Sequence, residues 1–249
     1  MAPISLALWR SVEAKHFGSV AMEQPILDLG CGFGEFGSAF FEAPVAYGLD
    51  ISRRDLSLVE PGLYKGLVHA DAHTMPFPDE TFNTVMSVSV LEHIPDVRPV
   101  FEEIARVLKP GGRVVISMPL KDLDSYMVYP PVLRRLGLGR LADSYIRSVH
   151  RSFKHVNLFE PEEWLALVSE AGLSIQIHRR MMSKPVTRLF DLGLPTATIS
   201  QVMRLASGRR FVWRPSFANR MWRSILRPLV ERDEEDGSNL FVVAAKAPP

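Results

Sequence analysis

The first residues that could do chemistry are gathered in a glycine-rich stretch near the amino end of the chain. Asp28 follows a short apolar run, and three glycines come after it at alternate positions: Gly30, Gly32 and Gly34. Because glycine has no Cβ atom, a backbone built from it can approach a ligand closely. A helix that begins directly after such a turn points free N–H groups at the ligand. The pattern therefore predicts a buried strand, a ligand-binding turn and a helix.

The carboxylate of Asp28 helps to decide which ligand such a turn holds. Residues 32–37 also match G-x-G-x-x-G, the pattern of dinucleotide sites in which a pyrophosphate lies on the turn. Asp28 and Glu35 would repel a pyrophosphate, whereas a carboxylate suits a cation such as the ammonium group of an amino-acid moiety. A nicotinamide-dependent oxidoreductase is therefore disfavoured, although it stays the first alternative.

Four stretches, in the same order along the chain, are similar to one protein family. The pattern Asp28-x-Gly30-x-Gly32-x-Gly34 resembles the first motif of the class I S-adenosylmethionine (SAM) dependent methyltransferases, of the small-molecule, type 11-like kind. Residues 71–83, residues 91–93 (LEH) and residues 108–117 (LKPGGRVVIS) resemble later motifs of that family. The resemblance covers about residues 26–118. It implies an α/β fold with a doubly wound, mostly parallel seven-stranded sheet whose last strand is antiparallel.

The resemblance also implies which residues bind SAM. Asp50, at the end of the second predicted strand, would accept hydrogen bonds from the ribose hydroxyls, and Ile51 would stack on the adenine. Asp71 would accept the adenine amine, and Ala72 would offer its N–H group to a ring nitrogen. The whole predicted cofactor set is Asp28, Gly30, Cys31, Gly32, Gly34, Asp50, Ile51, Asp71, Ala72 and Ser87. Cys31 is expected to be a small turn residue rather than a nucleophile.

Candidates for catalysis are less sharply defined. The end of the fourth predicted strand borders the methyl-donor sulfur in the resembled fold, so His93 is the best single candidate near the reacting centre. A general base matters only if the acceptor is a hydroxyl or a protonated amine, because the donor is already activated. The other candidates for that base are His150, His155 and Tyr126, and the sequence does not rank them.

Apolar periodicity and helix-ending residues outline the remaining elements. We expect helices over Ile4–Phe17 and Val97–Leu108, and a third that opens at Pro161 and ends at Gly172. The expected strands after the first are Val45–Leu49, Leu67–Ala70, Phe82–Ser87, Arg113–Met118, Leu173–His178 and Leu240–Lys246.

Two long segments interrupt this pattern, and both are basic. Residues 119–159 and 179–237 are predicted to be insertions into a single domain of residues 1–249. Lys121–Lys154 holds seven Lys or Arg against three Asp or Glu, and Ser183–Arg232 holds ten against two, so the rest of the chain is acidic. Because the insertions leave the carboxyl ends of strands, we expect them to cap the cofactor cleft.

The basic and aromatic character of the insertions indicates the acceptor. We expect a small anionic molecule with an apolar part, of the lipid-linked, glycolipid or secondary-metabolite type. The second alternative is a SAM-binding or fold-only module without turnover, which docks to an anionic membrane or a partner through residues such as Arg209, Arg210 and Arg214.

Composition excludes several other classes. One cysteine among 249 residues rules out an internal disulfide and a cysteine metal cluster, so no metal site is predicted. Because no basic segment followed by a short apolar run is evident, and no apolar run approaches 18 residues, we expect neither a secretion signal nor a spanning helix. We therefore expect a cytoplasmic protein with at most peripheral membrane contact. No nucleic-acid-binding motif is evident, and the oligomeric state stays open.

Overall fold

The computed structural model describes residues 4–194, 224, 226–232 and 236–248. The helices are α1 (Ile4–Gly18), α2 (Glu35–Phe40), α3 (Arg53–Leu56), α4 (Arg98–Val107), α5 (Leu123–Tyr126), α6 (Tyr129–Arg135), α7 (Gly139–Phe153) and α8 (Pro161–Glu170), with a 3-10 helix at Leu91–His93. The strands are β1 (Ile26–Leu29), β2 (Val45–Asp50), β3 (Tyr64–His69), β4 (Phe82–Val88), β5 (Leu108–Pro119), β6 (Leu173–Met181) and β7 (Asn239–Lys246). Residues 184–194 and 226–231 are also helical.

The strands form one sheet in the order β3-β2-β1-β4-β5-β7-β6. The pairs from β3 through β5 are parallel, and β7 runs antiparallel to β5. The predicted fold class is thereby confirmed. The strand order reverses direction between β1 and β4, which is where an open parallel sheet binds ligands, beyond the carboxyl ends of its strands.

Apolar side chains on both faces of the sheet explain why it folds in this way. Central strands bury nearly every residue, as expected for a parallel sheet covered by helices. The helix α4 buries one stripe of apolar side chains in this core, and Phe101 lies edge-on to the fully buried Trp164 of α8. A capping box at Glu160 and Glu163 begins α8 directly before Pro161.

The fifth strand begins earlier than the sequence indicated. Lys109-Pro110-Gly111-Gly112 ends α4 as predicted, but β5 already starts at Leu108 and pairs there with Phe82 of β4. The next pairing is Thr84 with Arg113, so the extra residues on β5 bulge out of the ladder. A turn signal read as a break is therefore a bulge within a longer strand.

Two other strands are also longer than predicted. The β3 strand begins at Tyr64, because its pairing with β2 starts there, opposite Val45. The alternation of apolar and polar residues before Leu67 is too weak to predict this earlier start from the sequence. The β6 strand continues to Met181 instead of ending at His178. Among the described residues, no helix is long and apolar enough to cross a membrane.

The chain divides into two compact units. The sheet unit contains Phe17–Lys121, Lys154–Arg179 and Asn239–Pro249. The helical unit contains Met1–His16, Asp122–Phe153 and Arg180–Ser238. Most of the two segments interpreted as insertions lies in the helical unit, and their role as a cap stays a prediction.

A buried carboxylate organises the helical unit. Asp191 has no exposed surface, and its Oδ2 accepts hydrogen bonds from the N–H groups of Val128 (2.7 Å) and Tyr129 (3.0 Å) at the start of α6. Its Oδ1 accepts a bond from the hydroxyl of Tyr145 on α7. Burial, together with that bond to Asp191, raises the pKa of the Tyr145 phenol, which therefore stays a donor. One side chain thus joins α6, α7 and residues 184–194.

Replacing this carboxylate should destabilise the helical unit. Asp191→Ala strands two backbone N–H groups and one hydroxyl in a buried site, at about 1–3 kcal/mol for each unsatisfied group. We expect a loss of about 3 kcal/mol in the free energy of unfolding, measured by urea denaturation. The matched control is Asp143→Ala, which removes an exposed carboxylate paired with Arg134 and should cost less than about 1 kcal/mol. Equal losses for the two variants would contradict this role of Asp191.

Candidate active site

The glycine-rich turn lies at the carboxyl end of β1 and is fixed to the next strand. The N–H groups of Gly30 and Cys31 both donate to the carbonyl of Leu49, at 2.8 and 3.1 Å. Gly30 has φ +78°, and a Cβ atom there would lie 2.4 Å from the Val90 side chain, so only glycine fits. Gly32 has φ +55°, and a Cβ atom there would meet no atom within 4 Å. The turn is therefore tightly packed on one side and open at Gly32.

Asp50 holds this turn in place from the end of β2. Its Oδ2 accepts a hydrogen bond from the N–H group of Gly32 (2.8 Å), and its Oδ1 accepts one from the N–H group of Ser52 (2.7 Å). Ser52 in turn caps α3 by accepting from the N–H group of Asp55. A carboxylate can accept about four hydrogen bonds, so two sites on Asp50 remain for a pair of ligand hydroxyls.

Asp28 has a buried partner that the sequence did not reveal. The hydroxyl of Tyr64 on β3 donates to Asp28 Oδ2 at 2.6 Å, and Asp28 is only 4% exposed. Burial and the nearby Asp28 raise the pKa of Tyr64, so that its hydroxyl stays protonated and donates. Asp28 is therefore a buried acceptor at the end of β1, and its expected contact with an ammonium group stays a prediction.

Cys31 is held in a form that does not favour nucleophilic attack. Burial raises the pKa of its thiol, and the carboxylates of Asp28 and Asp50 raise it further. The thiolate is the nucleophilic form of cysteine. A neutral thiol between two turn glycines agrees with the interpretation of Cys31 as a small turn residue.

The loop after β3 carries Asp71, His73 and Ala72. Asp71 Oδ1 accepts from the N–H group of His73 (2.9 Å) and pairs with His73 Nδ1 (2.6 Å). The Nε2 atom of His73 lies 3.1 Å from the carbonyl oxygens of both Pro95 and Asp96, which follow the 3-10 helix. His73 therefore joins two loops at the carboxyl edge of the sheet.

The other predicted adenosine-binding residues differ in their accessibility. Ile51 is 68% exposed directly after Asp50, which leaves an apolar surface for a ring to stack on. Ala72 packs its side chain in the core, and its N–H group makes no hydrogen bond with a described residue. Ser87 is fully buried, and its hydroxyl donates to the carbonyl of Leu29 in the neighbouring strand. That bond joins β4 to β1, so the structure gives no support for a ligand contact through this hydroxyl.

His93 lies at the end of the 3-10 helix and is joined to the segment before α8. Its Nδ1 is 3.2 Å from the carbonyl oxygen of Lys154, and its ring stacks on that of His155 with centroids 5.8 Å apart. Its Nε2 is 3.7 Å from Oε1 of the buried Glu92. The side chain of His93 is 37% exposed. Two of the predicted catalytic residues are thus brought together in the sheet unit.

The backbone strengthens this connection. The carbonyl of Glu92 accepts hydrogen bonds from the N–H groups of Val156 (2.8 Å) and Asn157 (2.9 Å). The side-chain amide of Asn157 donates to the carbonyl of Ile94 at 2.6 Å. Residues 154–157 therefore clasp residues 92–94, and we call this arrangement the histidine clasp.

Tyr126 and His150 lie in the helical unit, each with a carboxylate partner. The Tyr126 hydroxyl donates to Asp236, and burial together with that bond raises the pKa of Tyr126 to about 12. Such a phenol is a poor base at neutral pH. His150 Nε2 lies 3.0 Å from Asp124 Oδ1. The catalytic assignments of Tyr126 and His150 stay predictions.

The contacts that sequence reasoning missed have one cause. Tyr64 and Lys154 act on partners that are distant in sequence, Lys154 through its backbone carbonyl, and such contacts leave no pattern. Asp71 and His73 are the exception. Their separation by two residues is typical of a local turn in which a side-chain oxygen accepts from a backbone N–H group, and it could have been recognised.

The residues present at this edge fit SAM. The open backbone at Gly32, the paired acceptor sites of Asp50, the exposed Ile51 and the N–H group of Ala72 could hold an adenosine group. All of these residues belong to the sheet unit. When bound there, SAM supplies a methyl group already activated on a sulfonium.

Comparison with known proteins agrees with the interpretation of this edge of the sheet as a SAM site. Residues 27–116 match the family model described as "Methyltransferase domain". Demethylmenaquinone methyltransferase of Bacillus licheniformis is 39% identical over 173 residues, which cover 61% of this chain and 72% of the relative. Ubiquinone biosynthesis O-methyltransferase of Thiobacillus denitrificans is 29% identical over 179 residues, which cover 69% and 73%.

The solved structures show the same fold. The crystal structure of a SAM-dependent methyltransferase from Thermotoga maritima aligns with a TM-score of 0.59 and 18% identity, and the alignment covers 98% of this chain and 91% of that one. At this identity the likeness concerns the fold alone. The identity of the Bacillus licheniformis relative, over most of its length, carries the further step: this chain belongs to the class I methyltransferases that use SAM.

Proposed function

We propose that the protein transfers the methyl group of SAM to an oxygen atom of a small acceptor that is partly apolar and anionic, with His93 as the general base. The observation that carries this proposal is the geometry of His93 in the histidine clasp. Tyr126 serves less well as a base, because burial and the bond to Asp236 keep it protonated.

The contact with Lys154 selects the tautomer of His93. A carbonyl oxygen only accepts hydrogen bonds, so the Nδ1 atom of His93, 3.2 Å away, carries the hydrogen. In the neutral ring the lone pair then lies on Nε2, the atom able to accept a proton. Glu92 Oε1, 3.7 Å from Nε2, stabilises the positive charge that appears when that proton arrives.

The protein also positions the two reactants. Asp50 and the turn at Gly32 hold the adenosine group of the cofactor, and the histidine clasp holds the base. Alignment of two reactants in this way can supply about 7–11 kcal/mol of the barrier reduction. His93 Nε2 would take the proton of the acceptor hydroxyl as the acceptor oxygen bonds to the methyl carbon. The bond between that carbon and the sulfur would break at the same time, with S-adenosylhomocysteine as the leaving group. The base thus removes the proton that would otherwise leave the product oxygen charged.

Two observations support the character of the acceptor. The relatives from Bacillus licheniformis and Thiobacillus denitrificans are named for menaquinone and ubiquinone chemistry, which favours an aromatic or quinol-like acceptor with an apolar part. The segment Lys121–Lys154 has an excess of positive charge, which favours an anionic group on that molecule. Glycolipids and secondary metabolites that carry both an apolar part and an anionic group are also candidate acceptors.

The alternative is a protein that binds SAM without turnover and docks through its basic segments. The arginines first considered for that role, Arg209, Arg210 and Arg214, lie outside the described residues. Methyl-transfer assays separate the two readings. Binding of SAM without transfer to any acceptor of the panel described next would favour the docking protein.

The acceptor is best tested with matched pairs. Alkyl catechols and hydroquinones would be offered with labelled SAM, each with and without a carboxylate on the ring. We expect transfer to the hydroxyl oxygen, with kcat/KM at least about tenfold higher for the carboxylated member of each pair, as expected for one added charge contact. Equal values would remove the anionic requirement, and transfer only to carbon would remove the role of a hydroxyl acceptor.

Replacing His93 should slow the chemical step selectively. General base catalysis contributes about 10²–10⁴-fold, so His93→Gln should lower kcat by at least about a hundredfold while the calorimetric affinity for SAM changes less than about twofold. The matched control is His178→Gln, which removes an exposed histidine of β6. Methyl transfer by His93→Ala within twofold of the wild type would exclude His93 from the mechanism.

His73 should stabilise the adenosine-side loop in a pH-dependent manner. The hydrogen bond to Asp71, with the carbonyls of Pro95 and Asp96, raises the pKa of His73 above 6.5, and the same pair lowers the pKa of Asp71. A raised pKa means stabilisation that is complete below the unfolded value and is lost as pH rises through the folded value. The difference in unfolding free energy between the wild type and His73→Gln should therefore be largest near pH 6 and should shrink towards pH 9.

The control for this titration is again His178→Gln, because it removes a histidine without touching Asp71. Urea denaturation at a series of pH values supplies the measurement for all three proteins. A difference for His73→Gln that grows with rising pH, or that follows the control, would contradict the proposed ion pair.

A further inference from the structure

We propose that the turn between α6 and α7 is a docking site for an anionic lipid bilayer. This surface belongs wholly to the helical unit and contains none of the predicted site residues. It does not depend on the proposed methyl transfer, because vesicle binding is measured without turnover. We call it the α6–α7 tip, and it comprises residues 132–141 together with the exposed arginines of α7.

The first observation is a group of exposed aliphatic side chains. Leu136 is 67% exposed, Leu141 53%, Leu138 47% and Val132 45%. They are close in sequence and lie on one short helical hairpin. A soluble surface seldom gathers this many large apolar side chains unless they meet a partner.

Local contacts within the hairpin fix the backbone that carries these side chains. Gly137 adopts φ +75° at the end of α6, and the N–H group of Leu138 donates to the carbonyl of Leu133 at 2.9 Å. Arg134 and Asp143 form an ion pair of 2.9 Å across the turn. A preorganised apolar tip loses little conformational entropy when it enters an interface.

The second observation is the charge beside the tip. Arg140, Arg147 and Arg151 are exposed. Arg147 and Arg151 follow Arg140 by seven and eleven residues, about two and three helical turns, so all three lie on one face of α7. Arg135 is exposed at the end of α6. None of these four arginines forms an ion pair with another residue that the structure describes. From Tyr129 to Lys154, Asp143 is the sole acidic residue, so the surface is strongly positive.

Aliphatic side chains beside a stripe of arginines match the chemistry of an anionic bilayer. Leucine and valine enter the boundary between head groups and acyl chains, while the arginines stay among the phosphates. A nucleic acid would use the arginines but not the aliphatic tip, since bases are bound by stacking on aromatic rings. The combination of both halves therefore favours the bilayer.

Vesicle flotation tests the proposal directly. The full-length protein would be mixed with vesicles of phosphatidylcholine alone or with one-third phosphatidylglycerol. We expect the wild type to float with the anionic vesicles only, and to be released at high salt because screening weakens surface attraction. A wild type that does not bind anionic vesicles, or that binds neutral vesicles equally well, would overturn the proposal.

Two variants separate the halves of the surface. The variant Leu136→Ser/Leu138→Ser/Leu141→Ser removes the apolar tip, and Arg140→Gln/Arg147→Gln/Arg151→Gln removes the basic stripe. We expect each to weaken partitioning at least about tenfold, given about fivefold for each arginine near an anionic surface. Both should keep the wild-type circular-dichroism spectrum and urea-denaturation midpoint, which shows that the helical unit is still folded.

The matched controls lie in the sheet unit. Leu58→Ser removes an equally exposed leucine, and Arg53→Gln/Arg54→Gln/Lys65→Gln removes three exposed charges. We expect both to float like the wild type. Equal losses in the controls and the tip variants would show general adhesion and would overturn the assignment. The assignment would also be overturned if single-stranded RNA displaced the protein completely from the vesicles and still bound the variant that lacks the three leucines.

Discussion

The hydrogen bonds of Asp50 are the constraint on which the rest of the site depends. One carboxylate accepts from Gly32 in the turn after β1 and from Ser52 at the start of α3, so it fixes the ends of two neighbouring strands to each other. The parallel pairing of β1 with β2 brings these ends to the same edge of the sheet. Without these hydrogen bonds, the distance between the open backbone at Gly32 and the Asp50 oxygens expected to bind a ribose would not be fixed.

A second connection orders the side of the site that we assign to catalysis. The histidine clasp ties the loop after β4 to residues that come some sixty positions later, immediately before α8. The capping box of α8 and the buried Trp164 hold the far end of that segment in the core. The tautomer of His93 thus depends on a backbone carbonyl whose position is set by helix packing. Under the proposal that His93 is the general base, this packing determines which ring nitrogen is free to accept the proton.

Sequence reasoning predicted the parts of the molecule that rest on local patterns. The glycines at 30, 32 and 34 predicted the turn, and the apolar run before Asp50 predicted that this acid lies at the end of β2. The family motifs predicted the sheet and its antiparallel last strand. Each of these features repeats a short pattern with a definite physical reason.

Other features could not be read from sequence because they join distant residues. Tyr64 reaches Asp28 across 36 positions, and nothing near either residue indicates the other. The start of β5 at Leu108 was missed because Pro110 and the two glycines after it look like a break, whereas pairing with Phe82 keeps the strand intact. Ser87 was expected at the end of β4, but its hydrogen bond to the carbonyl of Leu29, 58 positions away, leaves no pattern in the sequence.

The central claim is that the turn at Gly32 and the carboxylate of Asp50 form a SAM site. Calorimetric titration of the wild type and of Asp50→Ala with SAM, S-adenosylhomocysteine and NAD tests it most directly. The account predicts that the wild type binds both adenosyl ligands and not NAD. It also predicts that Asp50→Ala, which loses two ligand hydrogen bonds to a charged group, binds them at least about tenfold more weakly. Binding of NAD, or adenosyl binding that is unchanged in Asp50→Ala, would contradict the account.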